Sequence, residues 1–160
     1  MHLRVTRRGT NRGILPALAA ILLGGLLVLA ACSRGPEPRL KAARLLGSEP
    51  EELKARLGEP RVHREEQGTH YGSMRWEGIE GVDVLVIIKG GKGSYVSYQF
   101  SGMEPFDEAA ALARIGVDLP EQAPQQVPDS RARRWQPFGE YDRLTINPDT
   151  KLIAIGTHPL

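Results

Sequence analysis

The chain has 160 residues, 41% of them hydrophobic, with 21 Lys+Arg, 19 Asp+Glu and a single cysteine. This composition supports one domain with a core of modest size, and the lone cysteine excludes an internal disulfide. A formal net charge of +2 carries no basic field of the strength that nucleic-acid binding uses, so a nucleic-acid partner is not expected.

The first twelve residues hold Arg4, Arg7, Arg8 and Arg12 and no acid, and residues 13–31 carry no charge at all. A basic start, an apolar middle and a small-residue end describe a secretion signal over residues 1–31. Removing it takes away four arginines and leaves 17 Lys+Arg against 19 Asp+Glu, a net −2. The signal ends in Leu29-Ala30-Ala31-Cys32, which resembles the lipobox of bacterial lipoproteins. The resemblance implies cleavage between Ala31 and Cys32 and a lipid on the Cys32 sulfur. An uncleaved membrane anchor and an incidental thiol are the other two explanations of the same residues. Pro36 and Pro38 then favour an extended tether over residues 32–43. At roughly three ångströms per extended residue it keeps the domain near the membrane. Ser33 stands where inner-membrane lipoproteins often have aspartate, which implies the outer membrane, facing the periplasm. In an organism with one membrane the place is the outer face of the cytoplasmic membrane.

The mature chain divides into a first unit at 44–102 and a second at 103–160. Leu45, Leu46, Leu53 and Leu57 lie near helical spacing. This predicts a short helix to about Gly47 and another over about 49–57, with Ser48 and Glu51 as a capping box and Gly58-Glu59-Pro60 as the stop. Four candidate strands follow, at 62–67, 70–77, 82–89 and 94–101, separated by glycine-bearing turns and read as an antiparallel meander. Residues 104–116 read as a helix, 118–130 as a proline-rich loop, and the last two strands as a hairpin turning at Asn147-Pro148-Asp149.

Pieces of the two units recur. "ARLG" at 55–58 returns as "ARIG" at 113–116, and "RW" at 75–76 returns at 134–135. Trp76 precedes Asp83, and Trp135 precedes Asp142, by the same interval. The pattern predicts two degenerate copies of one helix-then-strands unit, with the tryptophans in equivalent core positions. The expected fold class is therefore α+β: short helices on one face of an antiparallel sheet, in two helix–meander repeats. The run "LLGSEPEELKARLGEP", with a tryptophan-bearing strand and "VSYQF" after it, resembles the SmpA/OmlA (BamE) family of small outer-membrane lipoproteins. The doubling resembles beta-lactamase inhibitor protein. These resemblances imply the fold and the compartment; "LGEP" lacks a counterpart proline in the second copy.

Motifs with chemical content are sparse. His63 and His70 flank Glu65 and Glu66, but no third ligand is spaced to complete a metal site, and His158 lies near the end. Ser94, Ser97 and Ser101 lack a nucleophile elbow or a paired base. "KGGKG" at 89–93 has the glycine and lysine content of a phosphate cradle but sits between strands, as a hairpin loop does. Asp107 and Glu108, like Glu51 and Glu52, occupy first helical turns, where acids suit the helix dipole. Arg131, Arg133 and Arg134 cluster beside Trp135 and suit head groups or cell-wall acids. No cofactor and no metal are expected. The strand at 82–89 places Val82, Val84, Val86 and Ile88 on one face and Asp83, Leu85 and Ile87 on the other. A sheet covered on one side usually shows polar residues on its second, so this strand has an apolar row too many. Val82, Val84, Val86 and Ile88, with Arg133 and Arg134, are the candidate binding residues. The function expected is a lipid-anchored, non-catalytic module that binds or scaffolds an envelope protein. An envelope ligand-binder for peptidoglycan or a small molecule, and an enzyme of unknown class, are the alternatives.

Overall fold

The computed structural model describes residues 38–157. The signal segment, Ala31 and Cys32 lie outside the described residues, as does His158. The chain enters through a 3₁₀ turn, Ala42–Arg44, followed by helix α1, Pro50–Leu57. Four strands come next: β1 Val62–Arg64, β2 Gly72–Ile79, β3 Val82–Lys89 and β4 Lys92–Gln99. Helix α2, Glu108–Ile115, precedes β5 Gln125–Gln126, β6 Arg133–Trp135, β7 Arg143–Asn147 and β8 Leu152–Gly156.

Local chemistry accounts for most of these elements. Two-residue turns close the hairpins β2–β3 and β3–β4, at Glu80-Gly81 and at Gly90-Gly91. All four residues have positive φ, as type I′ turns matched to strand twist require. The β7–β8 turn is held by the Asn147 carboxamide oxygen, which accepts from the Asp149 N–H at 3.1 Å. Asp107 caps α2 by accepting from the Ala110 N–H at 3.0 Å. Helix α1 has its capping box one residue later than expected. Glu49 is the N-cap, and its N–H donates to Glu52 at 3.0 Å. The Ser48 hydroxyl turns back instead and donates to the Arg44 carbonyl.

All eight strands belong to one antiparallel sheet, in the order β1-β2-β3-β4-β8-β7-β6-β5. Strands β4 and β8 pair from Tyr95–Gly156 to Gln99–Leu152, so two meanders fuse into a continuous surface. This corrects the α+β expectation. Among the described residues the protein is mostly an eight-stranded antiparallel sheet, with two short helices, rather than helices packed on a sheet in two repeats. Each helix has eight residues; α1 buries Leu53 and Leu57, and α2 buries Ala111, Leu112 and Ile115. Two turns of helix are too short to form a layer over eight strands. The stretch expected to be only a proline-rich loop contributes β5. The matched tryptophan–aspartate interval does not mark matched places. Trp76 pairs with Val84 and Trp135 with Leu144. Asp83 therefore lies within β3, opposite Gln99, whereas Asp142 precedes β7. In a period-two element a slip of one residue changes the face.

One hydrophobic cluster draws on both meanders and both helices. Its sheet side, termed the inner face, is built by Met74, Trp76, Val84, Val96, Tyr98, Leu144, Ile146, Ile153 and Ile155. Each large aliphatic or aromatic side chain buried there contributes about 1.5–3 kcal/mol. The buried indole N–H groups are satisfied, Trp76 by the Gly58 carbonyl at 2.7 Å and Trp135 by the Gln122 carbonyl at 3.0 Å. Burial pushes the Tyr98 phenol far above its ordinary value, so it stays neutral and donates to the Leu40 carbonyl at 2.9 Å.

The entering chain is seated on the sheet at Gly93. Gly93 exchanges main-chain bonds with Gly47 and Ser48, at 2.7 and 2.9 Å. A Cβ there would collide with the Leu45 carbonyl oxygen and press on Val86 at 3.2 Å. Gly93→Ala should therefore cost about 1–3 kcal/mol through overpacking against main chain. Thermal or denaturant unfolding measures it; an unchanged midpoint would show that this approach is not tight.

Candidate functional site

The candidate contact row is interior. Val82, Val84 and Val86 are fully buried and Ile88 almost so. These four residues belong to the hydrophobic cluster and cannot meet a partner, which corrects their assignment as binding residues. The surplus apolar row is the other one, since Asp83, Leu85 and Ile87 are each partly exposed.

The strand registers carry this second row across the sheet. Leu85 lies beside Ser97, then Ala154, Thr145 and Arg134. Ile87 lies beside Tyr95, then Gly156 and Arg143. Asp83 lies beside Gln99, then Leu152 and Asn147. This outer face is thus a field of aliphatic, hydroxyl and amide groups with arginines at one end. The central strand β8 contributes only Leu152, Ala154 and Gly156 to it. Ala154 and Gly156 are small and buried, flanked by the partly exposed Tyr95 and Ser97 on one side and Arg143 and Thr145 on the other. A pit of about 180 Å³ lies at the other end, lined by Arg75, Asp83, Leu85, Ser97, Gln99 and Leu152.

Charge on the outer face is uneven. Arg75 is balanced by Glu77 and Asp83, at 3.6 and 3.8 Å. Arg134 has its Nε buried without a hydrogen-bond partner, as is the Asp142 Oδ2 atom. Burial pushes the Tyr95 phenol up, and the positive charge of Arg143 pulls it partly back, so the cation acts on the face itself.

The arginine cluster near Trp135 is dispersed by strand alternation. Arg131 pairs with Asp149 at 2.9 Å. Arg133 pairs with Glu108 of α2 and lies over the Trp135 ring, 5.7 Å from its centroid. Arg133 is therefore occupied on the helix side, and of the two arginines proposed for binding only Arg134 reaches the outer face. Both tryptophans are buried, which removes them as stacking platforms.

The other motifs have structural roles. Ser94 is buried and donates to the Ile87 carbonyl at 3.3 Å. His63 and His70 are exposed, and among the described residues no three His, Cys, Asp or Glu side chains group as metal ligands. The "KGGKG" turn does hold an anion, but one the chain supplies. The Gly90 and Gly91 N–H groups each donate to the Glu66 carboxylate at 2.9 Å. Glu66 was legible only as an exposed acid, because its partners are 24 and 25 residues away. No family model, curated protein or solved structure matches the chain.

The Glu66 latch gives a signed pH effect. The Gly91 and Gly90 N–H groups favour the carboxylate and lower its pKa below the ordinary value of 4.5. Its contribution is complete above the unfolded-state pKa and is lost as pH falls through the lower folded-state value. The melting-temperature gap between wild type and Glu66→Gln should be open near neutral pH and close as pH falls from the ordinary glutamate value through the lower folded-state one. A gap that is constant across this range would exclude the latch.

Proposed function

We propose that the protein is a lipid-anchored envelope lipoprotein whose folded domain is a non-catalytic protein-binding module. The observation that carries the binding role is the outer face of the sheet. Leu85, Ile87, Tyr95 and Leu152 are partly exposed on it, and the helices, buried against the opposite side, give it no cover. Apolar area left open beside polar groups is the usual composition of a protein-docking surface. The anchor rests on the Leu29–Cys32 motif after a charge-free apolar run. Among the described residues no helix is long and apolar enough to cross a membrane. By the Ser33 resemblance we assign the attachment to the outer membrane, facing the periplasm, or to the outer face of the cytoplasmic membrane where there is only one.

The anchor and the docking face are separable. Each buried CH₂ of an acyl chain adds about 0.8 kcal/mol of membrane affinity. Cys32→Ala should move the protein from the membrane to the soluble fraction without changing its melting temperature. A photo-reactive phenylalanine at Leu85 should give protein adducts in intact envelopes, and one at the exposed Ala55 of α1 should not. Unmodified thiol at Cys32 in native protein would refute the anchor. Absence of adducts from both Leu85 and Ile87 would refute the docking face.

A further inference from the structure

We propose that the outer face binds an extended, acidic protein segment, which seats one aliphatic side chain in the pit between Leu85 and Leu152 and sets a carboxylate against Arg143 and Arg134. This rests on the protein-binding reading above and names the chemistry of the partner.

Three observations converge. The pit, at about 180 Å³, is below the roughly 300–1,000 Å³ of a small-molecule site. Its Leu85 and Leu152 walls are wide enough apart for a single aliphatic side chain and suit one by contact. The cations near the other end of the face differ from Arg75 in lacking an acid. Arg134 keeps a buried Nε without an acceptor, and no hydrogen bond or ion pair to a carboxylate joins Arg143 among the described residues. A partner carboxylate meets the Arg143 guanidinium in a charge-assisted bond; the Arg134 Nε is itself buried, so Arg134 acts on the partner through its charge. Between the two ends, β8 shows the face only the small side of Ala154 and Gly156, both buried between larger neighbours. From Leu152 to Gly156 is about 13 Å at the rise of a strand, so a segment lying in extended form presents its anchor and its acid three or four residues apart.

The place where the chain enters disfavours a bilayer as the occupant. The Leu40 carbonyl is bonded to Tyr98 on the inner, helix-bearing side. Six residue steps separate Pro38 from Cys32, about 20 Å at full extension. The described chain thus begins on the helix-bearing side, opposite the proposed docking face. A second copy is disfavoured by charge, because stacking two outer faces brings the uncompensated arginines of both into one interface.

The test uses the full-length lipidated protein in nanodiscs and dye-labelled heptapeptides. One peptide carries a leucine followed three positions later by two glutamates. The controls replace the glutamates by lysines, or the leucine by serine. The acidic, leucine-bearing peptide should bind, weaken as salt rises, and exceed both controls by about tenfold or more. Ser97→Trp, which fills the pit, should abolish binding, and Arg143→Glu should weaken it about tenfold or more at an unchanged melting temperature. If Ser97→Trp does not fold, Gln99→Trp takes its place. Equal binding of all three peptides, or none, or binding indifferent to both variants, overturns the proposal. So does a self-association that Ser97→Trp abolishes, or binding of Cys32→Ala protein to anionic vesicles that Arg143→Glu abolishes. Photo-adducts at Leu85 that persist in Ser97→Trp would sink the pit while leaving the docking face intact. Loss of the adducts altogether would remove both.

Discussion

The pairing of β4 with β8 is the constraint on which everything else depends. Each meander alone would end in an open strand, with half of the hydrophobic cluster unprotected. Joining Tyr95–Gln99 to Leu152–Gly156 brings Val96 and Tyr98 beside Ile153 and Ile155, so the interior becomes one body. The same five positions, read on the other side, put Tyr95, Ser97 and Gln99 beside Gly156, Ala154 and Leu152. The seam that completes the core also creates the floor of the candidate docking face. It is a long-range pairing, and the loop-closure entropy it costs rises only slowly with the length of chain enclosed.

The side chains with the most chemical promise in the sequence are bound up in holding this sheet together. Glu66 locks the β3–β4 turn, Asp107 starts α2, Ser94 ties to β3, and the two indoles reach back to the carbonyls of Gly58 and Gln122. What remains on the outer face is a pattern of aliphatic groups, hydroxyls and amides of fixed spacing, with positive charge gathered at one end. Rigid strands hold such a pattern better than loops do, because neighbouring side chains are set by the register and not by local flexibility.

The sequence made the local elements legible. Glycine-bearing turns marked off β2, β3 and β4 and their hairpins, and the Asn147 turn announced the last one. Helix α2 followed from Asp107 and the apolar positions after it. The rest depended on information that local patterns lack. Nothing near Tyr95 or Leu152 announces that they belong to adjacent strands, so one sheet was read as two units. The strand Val82–Lys89 is apolar on both faces, and periodicity alone cannot say which row is inside; burial made the valine row core and the Leu85–Ile87 row surface. The arginines at 133 and 134 looked like one cluster because they are neighbours in sequence, yet strand alternation sends them to opposite sides. The Glu49–Glu52 capping box was missed by one residue because Ser48 is the better N-cap by preference, and here its hydroxyl is taken by the Arg44 carbonyl.

The two outermost strands of the sheet, β1 and β5, have only three and two residues. Open strand edges on an eight-stranded sheet invite stacking of one copy onto the next. Edges this short, with Arg64 charged on one of them, offer too few free main-chain groups to template a neighbour. The sheet can therefore be concentrated without its rims polymerising into fibres.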